Sequence, residues 1–443
     1  MRKWIIFLLI LCSLSMSYSG LCEDQSQGQS YRFDLETAVQ YGLANNKGIH
    51  AAQSALRGAE TNVKSACGVF LPQVITQASY RKLENQSAKE FNQDYLDQNG
   101  YTTSVRLSQP LFTGFYGINF FQRSRIEREI SENRLNMAKL DLIYEIQQYF
   151  LALLKAREDY RSAETAIQRF QLHLKSAESY VQEGMKPYLW VLQVRSELAN
   201  TEEAAIKAKN AEKTISIYLN SLLNIPMDAH ATYEGQQNDE INHLSFTMEE
   251  CKSKALENRP DIDVARKNID VTEKNVSIIQ SRFYPKLSLD MDYYNQDTNY
   301  NTQRYIDMKR DYWSVGLNMQ WVLFSGGQDY FAKQTAYHEV NRYQELLQEL
   351  KNKSAVDVSQ AYFLFEDAKE RIGSAKKALE AAQESYNLAT TRFETNIGTS
   401  TEILDAQTLI IKNEAGLNQA LTDHRLAIAR LYHAMGIINY NLK

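Results

Sequence analysis

Proline, glycine and cysteine are scarce in this chain of 443 residues, which contains six prolines, 18 glycines and four cysteines. This composition argues against two or three ordinary globular domains and favours long helices rich in Ala, Leu, Gln, Glu and Lys. One stretch of 66 residues, Ile118–Glu183, has neither glycine nor proline. At 1.5 Å per residue, a helix of that length is about 100 Å long.

Signals for catalysis, metal binding and nucleic-acid binding are also missing. The net charge is only −5, whereas nucleic-acid-binding domains are usually strongly basic. The seven histidines show no HxxxH or HExxH spacing, and the four cysteines form no CxxC pair. There is no P-loop, no GxGxxG motif and no Ser/His/Asp or Cys/His arrangement. The sequence therefore predicts no enzyme, no cofactor, no resident metal and no nucleic-acid partner.

The first 19 residues have the pattern of a secretory signal peptide. Two basic residues precede an apolar run, Trp4–Leu14, and cleavage is predicted after Ser19. A membrane-spanning helix would need about 20 apolar residues, and no apolar run elsewhere in the chain reaches that length. Lipid modification of Cys22 is an alternative for the mature N-terminus, although Leu21 before it fits a lipobox poorly.

The chain contains an internal duplication. Asn46–Val74 aligns with Arg259–Leu287 at an offset of 213, with Phe and Pro at matching positions. Further along, Leu111–Gly114 aligns with Leu323–Gly326 at an offset of 212, as LFTG with LFSG. Matches in the same order at a nearly constant offset indicate two copies of one structural unit.

The duplication divides the chain into four predicted segments. They are the signal peptide at 1–19, the first repeat at 20–223, an irregular linker at 224–246, and the second repeat with a short tail at 247–443. Each repeat has the predicted order helix, strand, polar loop, strand, very long helix, turn and helix. The predicted strands are 72–81, 101–112, 285–294 and 312–324.

The predicted strands alternate between apolar and polar residues. In the fourth strand the apolar positions are Trp313, Val315, Leu317, Met319 and Trp321. Strands of this length suit a tilted membrane crossing, which takes about 9–11 residues. An open sheet edge in lipid leaves backbone groups unpaired, so a chain with four such strands needs further subunits. Three chains of four strands give 12 strands, wide enough for the lumen that the polar face favours.

The duplicated pattern resembles the outer-membrane efflux proteins of the TolC family. The residues that carry the resemblance are FLPQV and FYPKL at the strand starts, QPLFTG and VLFSGG at the strand ends, and EILDAQ in the second helical hairpin. The resemblance implies a mainly α fold with a membrane β-barrel. Long antiparallel coiled-coil helices would form a periplasmic α-barrel, and four strands per chain would complete a 12-stranded barrel in a homotrimer.

The resemblance also implies a location and partners. The protein would lie in the outer membrane of a Gram-negative bacterium, in contact with its lipid, and extend into the periplasm. It would be the passive exit duct of a tripartite efflux pump or a type I secretion system. Its partners would be a periplasmic adaptor, or membrane fusion protein, and an inner-membrane pump that supplies the energy.

In the family, acidic residues near the tip of the second hairpin surround the closed periplasmic entrance. The matching positions here are Glu402 and Asp405, which we expect to form a periplasmic pore constriction in the trimer. Alone, both residues would be interpreted as solvated positions on a helix surface. Carboxylates crowded around one axis attract cations.

The hairpin tips depart from the family pattern. A tip tyrosine of the family is Phe393 here, without a hydroxyl, and an arginine that some members use as a tether falls near Gly398. Polar positions of the first hairpin match Leu189 and Trp190. We therefore expect an apolar tip closure by Tyr188, Leu189, Trp190 and Phe393 in place of a polar latch.

Glycines mark the two predicted strand–helix junctions. Gly114 and Gly117 follow the second strand and would permit the bend into the long helix, and Gly326 and Gly327 occupy the same place in the second repeat.

Two other classes of protein fit the sequence less well than the channel. A soluble periplasmic coiled-coil adaptor is the alternative function, but it would have no reason to carry the alternating strands. A secreted hydrolase on a helical scaffold would need paired catalytic residues, which the sequence lacks.

Overall fold

The computed structural model describes residues 31–84, 97–235, 246–301, 306–395, 397–440 and 442. The predicted signal peptide at 1–19 and Cys22 lie outside the described residues. The helices are α1 (Leu35–Asn45), α2 (Lys47–Cys67), α3 (Tyr116–Gln182), α4 (Leu189–Leu222), α5 (Met248–Asn258), α6 (Pro260–Gln280), α7 (Gln328–Glu394) and α8 (Ser400–Ala434).

The two long helices, α3 and α7, have 67 residues each. Each is therefore about 100 Å long. Neither helix contains proline and each contains one glycine, Gly117 in α3 and Gly373 in α7, so the scarcity of both residue types predicts helices of this length. Over the part of the chain that the structure describes, no helix combines the length and the apolar character needed to cross a membrane.

The strands are β1 (Tyr31–Phe33), β2 (Gln73–Glu84), β3 (Asp97–Phe112), β4 (Ala231–Tyr233), β5 (Lys286–Asn301) and β6 (Ile306–Gln320). Strands β2, β3, β5 and β6 form one antiparallel sheet in that order, with β2 and β6 at its edges. All four strands of this sheet extend further into the polar segments than predicted. At its other end β6 is shorter than predicted, because it stops at Gln320, whose partner Lys286 is the first residue of β5.

The sheet has one apolar and one polar face, as the alternation predicts. Large apolar side chains of β3, β5 and β6 are exposed on one face, among them Leu107, Met291, Trp313 and Leu317. The other face carries an ion pair between Arg106 Nε and Asp292 Oδ1 at 2.6 Å. A single chain thus exposes an apolar sheet surface that water solvates poorly.

The shorter helices stack end to end beside the long ones. The side chain of Asn46, which caps α2, donates to the carbonyl of Leu222 at the end of α4 at 2.8 Å. In the second repeat, Arg259 Nη1 donates to the carbonyl of Ala434 at the end of α8 at 3.4 Å. Helix α3 packs along α2 and α6 near the sheet and along α4 and α8 further away, and α7 packs along α6 and α8.

A small mixed region packs around the middle of α3. Strand β4 pairs in parallel with β1, so the segment at 224–246, which was expected to be irregular, contains a strand. Tyr233 of β4 is buried against Phe150 and Leu219, and its hydroxyl donates to Asn220 Oδ1 at 2.6 Å. These contacts fix the end of the first helical hairpin to the core of the protein.

The backbone adopts the left-handed conformation at both strand–helix junctions. Gly114 and Phe115 have φ angles of 64° and 69°, and Gly326 and Gly327 have 66° and 81°. Gly117 is different, because its φ angle is not left-handed and it lies within the first turn of α3. A Cβ atom at Gly117 would lie 3.1 Å from the ring of Phe70. Gly117 therefore permits close packing and does not make the bend.

Replacing Gly114 by alanine should strongly destabilise the fold. A Cβ atom there would lie 2.5 Å from the carbonyl oxygen of Ser281, and the left-handed backbone adds about 1–2 kcal/mol. The temperature of unfolding, measured by circular dichroism in detergent, should fall. Gly373→Ala is the matched control, because its Cβ atom would meet no described atom within 4 Å. If the Gly114→Ala protein kept the melting temperature of the parent, the junction would not require glycine at this position.

Candidate functional site at the hairpin tips

The ends of α3 and α7 that lie furthest from the sheet turn back into α4 and α8. In the first hairpin, Gly184 adopts a φ angle of 69° and Met185 N donates to the carbonyl of Tyr180 at 2.9 Å. In the second, Gly398 N donates to the carbonyl of Arg392 at 2.8 Å. The hydroxyl of Thr399 then caps α8 by accepting from Glu402 N at 3.3 Å. Both turns are therefore defined by backbone hydrogen bonds.

Three aromatic side chains join the two hairpins at this end. Trp190 of α4 lies 5.0 Å from Phe393 of α7 between ring centroids, and each lies 5.9 Å from Tyr180 of α3. The ammonium group of Lys186 lies over the Phe393 ring at 4.9 Å. We refer to Tyr180, Trp190 and Phe393 as the aromatic cluster. Ring pairs at such distances contribute about 0.5–1.5 kcal/mol beyond burial of their area.

The residues predicted to close the tip fall into two groups. Trp190 is only 4% exposed and Phe393 is also buried, so both belong to the aromatic cluster inside the protomer. Tyr188 and Leu189 are 55% and 62% exposed, so of the four predicted residues these two present an apolar surface to the outside of the chain. Tyr180 was not identified from the sequence, because its role depends on partners from two other helices.

Glu402 and Asp405 lie at the start of α8, and both are exposed. Their spacing of three residues places them on the same side of the helix. Glu402 Oε2 lies 3.7 Å from Arg392 Nε at the end of α7. The sequence comparison placed a tethering arginine near Gly398, and Arg392 was missed because only the folded turn brings it to Glu402. The ion pair is exposed and makes at most a small contribution to stability.

Polar contacts also join the two hairpins above the aromatic cluster. His173 Nε2 lies 3.0 Å from the Tyr386 hydroxyl, and Arg169 lies 3.9 Å from Glu414. Burial lowers the pKa of His173 and raises the pKa of Glu414. The lowered pKa means that a neutral imidazole makes the contact with Tyr386 at neutral pH.

Metal ligands are not grouped in the described ranges. No cluster of three or more His, Cys, Asp or Glu side chains there is arranged to hold a metal ion. The tip instead offers exposed carboxylates, exposed apolar side chains and a buried aromatic contact between the two hairpins.

Comparison with known proteins identifies the family of the chain as a whole. The family model described as "Outer membrane efflux protein" matches residues 38–224 and 252–437. A pyoverdine export outer membrane protein, OpmQ of Pseudomonas aeruginosa, is 22% identical over 91% of this chain and 85% of its own length. The alkaline protease secretion protein AprF of the same species is 21% identical over 79% of this chain and 72% of its own length.

Solved structures of outer-membrane channels have the same fold. The outer membrane protein VceC of Vibrio cholerae superposes with a TM-score of 0.77 and 17% identity, covering 91% of this chain and 96% of VceC. The CmeC channel of Campylobacter jejuni superposes with a TM-score of 0.78 and 17% identity, covering 91% of this chain and 85% of CmeC.

Proposed function

The chain belongs to the outer membrane efflux protein family, and we propose that three copies of it assemble into one duct through the outer membrane and the periplasm. Its function is that of an outer-membrane channel in efflux or type I secretion. Family membership favours this function over the soluble periplasmic adaptor that was the alternative.

The observation that carries the proposed assembly is the four-stranded sheet with two free edges. Its apolar face suits contact with lipid and its polar face suits a water-filled lumen. Unpaired backbone groups at β2 and β6 would cost several kcal/mol each in lipid, so the edges need partners. Three chains supply 12 strands, and the even number allows the antiparallel order to continue around a closed barrel.

The helices would extend this barrel as a tunnel through the periplasm. We propose that a periplasmic adaptor contacts the tunnel and links it to an inner-membrane pump. The pump supplies the energy and the duct conducts passively, so no catalytic residue or cofactor is required of this chain. The two relatives are named for the export of pyoverdine and the secretion of alkaline protease. Here we propose that the pump sets the cargo.

We propose that Glu402 and Asp405 line the periplasmic constriction. Three chains with two carboxylates each place six around one axis. Their field concentrates cations at the entrance, which favours cation conduction and block by divalent ions. Arg392 reduces this field, because it lies beside Glu402 in each chain.

The exposed Tyr188 and Leu189 are proposed to close the tip. Around a threefold axis these side chains would meet their counterparts and exclude water from the closed entrance. The aromatic cluster would position them, because Trp190 follows Leu189 directly and packs against Phe393 of the second hairpin. Tyr188 and Leu189 would then be the contact surface, and Trp190 and Phe393 the positioning residues.

Membrane fractionation and mass measurement test the proposal together. The mature protein should sediment with outer membranes, remain there after a salt wash, and require detergent for release. Light scattering of the detergent-purified protein should give three times the chain mass. A soluble periplasmic protein and an established outer-membrane porin serve as controls. Recovery in the periplasmic fraction without detergent would reject the channel and favour the adaptor.

A further inference from the structure

Two buried glutamines in the described ranges of the chain differ in their hydrogen bonds. Gln147 of α3 is 2% exposed, and its Nε2 donates to the carbonyl of Asn439 at 2.5 Å. Gln407 of α8 is 0% exposed. Neither its Nε2 nor its Oε1 has a hydrogen-bond partner among the described residues. A buried amide without partners has lost the hydrogen bonds that it makes with water, and this makes the packed state less stable.

The duplication shows which side of α8 is covered. At the offset of 212, Leu404 and Gln407 correspond to Leu192 and Arg195 in the first repeat. Leu192 and Arg195 are exposed, whereas Leu404 and Gln407 are buried. Residues three apart lie on the same side of a helix. One side of α8 is therefore covered where the matching side of α4 is open.

The first hairpin supplies the covering surface. Leu404 belongs to the same buried cluster as Phe170 of α3 and as Trp190 and Val194 of α4. Gln407 follows one turn later on the same side of α8, so it lies in the contact between the two hairpins, on the side of the aromatic cluster away from the tip. The apolar character of this cluster explains why the amide has no partner.

The matching position in the first hairpin shows what a polar side chain does when this side of the helix is uncovered. Arg195 is exposed, and its Nη2 donates to Glu178 Oε1 at 2.8 Å. The polar group at this position thus has both solvent and a partner in the first repeat. Gln407 would reach water in the same way if the second hairpin moved away from the first.

We propose that Gln407 sets how readily the two hairpins separate when the entrance opens. This inference rests on the proposed function, because it requires a duct whose tip closes and opens. In the closed contact the amide has no partner, and separation of the hairpins brings it into water, where both of its polar atoms form hydrogen bonds. The aromatic cluster holds the hairpins together and Gln407 weakens their contact, so the balance between the closed and the open entrance depends on both.

Replacement of Gln407 by methionine tests the proposal. Methionine has a similar length and flexibility and fills the same space without an amide. We expect the Gln407→Met protein to unfold at a higher temperature in detergent, and its open probability in planar bilayers to fall several-fold. In a Trp190→Ala channel, where the hairpin contact is weakened, adding Gln407→Met should lower the conductance.

Gln407→Glu gives a pH-dependent result that a purely structural role would not produce. Burial disfavours a charged carboxylate and raises its pKa in the closed contact. At low pH the protonated carboxyl has nearly the shape of the amide, so the open probability should match that of the parent. As the pH rises the carboxylate ionises, the closed contact loses stability, and the open probability should increase several-fold. The parent at each pH corrects for His173 and Glu414, which lie in the same contact between the hairpins.

Gln147→Met is the matched control. It also replaces a buried glutamine, but it removes a hydrogen bond about 50 Å along α3 from the tip. Its melting temperature should fall and its open probability should equal that of the parent. A lower melting temperature for Gln407→Met would overturn the inference, as would parental open probabilities for Gln407→Met and Gln407→Glu at every pH. A parent protein that forms no channel in bilayers would instead reject the proposed function, and the inference with it.

Discussion

The Trp190→Ala channel should conduct ions through a periplasmic entrance that is closed in the parent protein. The substitution removes a buried ring from the aromatic cluster, and truncation of a core tryptophan costs about 3–5 kcal/mol. That energy is lost where the first hairpin is held against the second, so the turn that carries Tyr188 and Leu189 becomes loosely positioned. We expect a several-fold higher single-channel conductance in planar bilayers, with frequent transitions to open levels.

Two variants separate positioning from direct closure. Trp190→Phe keeps an aromatic ring and should restore most of the closed state. Leu189→Ala removes an exposed side chain and should raise the conductance without lowering the melting temperature. Equal conductance of the Trp190→Ala channel and its parent would show that the aromatic cluster does not control the entrance.

The second large effect is expected from Glu402→Ala combined with Asp405→Ala. This change removes two carboxylates from each chain at the proposed constriction, so the local negative potential falls. The permeability ratio of potassium to chloride, obtained from reversal potentials in a salt gradient, should drop several-fold. Block by divalent cations should disappear. Arg392→Ala should act in the opposite direction, because it removes the cation beside Glu402.

The control removes the same charge from another site on the helices. Glu202 and Glu203 are exposed neighbours on α4, more than one helical turn above the tip, and their replacement by alanine should leave selectivity almost unchanged. Unchanged cation selectivity and divalent block in the Glu402, Asp405 variant would refute the assignment of the constriction. An equal effect in both double variants would mean that selectivity reflects the charge of the whole tunnel.

Local patterns in the sequence were sufficient to predict the long helices and the sheet. The extent of α3 and α7 follows from the absence of proline and the scarcity of glycine, and the two faces of the sheet follow from a period of two. Strand ends were less predictable, because pairing continues wherever a neighbouring strand still offers a partner. The small strand β4 was missed for the same reason, since its three residues form a strand only by pairing with β1.

The contacts at the tip depend on residues far apart in the sequence. Trp190 and Phe393 meet although they belong to different repeats, so a local pattern could suggest apolar residues but not their burial. Arg392 and Tyr180 carried no signal at all, because each acquires its role from a turn or a neighbouring helix. Gly117 was predicted to help the bend, and its actual role in packing against Phe70 depends on the close approach of α2 and α3.

The equal length of α3 and α7, 67 residues in each, constrains how this protein can change during evolution. One inserted residue would lower the hairpin below it by 1.5 Å and rotate every later side chain by about 100° around the helix. In a trimer, three of the six hairpins would then end at a different height from the other three. The side chains at the ends of the altered hairpins would point away from the axis. The two helices of each hairpin, α3 with α4 and α7 with α8, must therefore change length together, by whole helical turns. The length of the duct is therefore set jointly by the two repeats, and neither repeat can alter it alone.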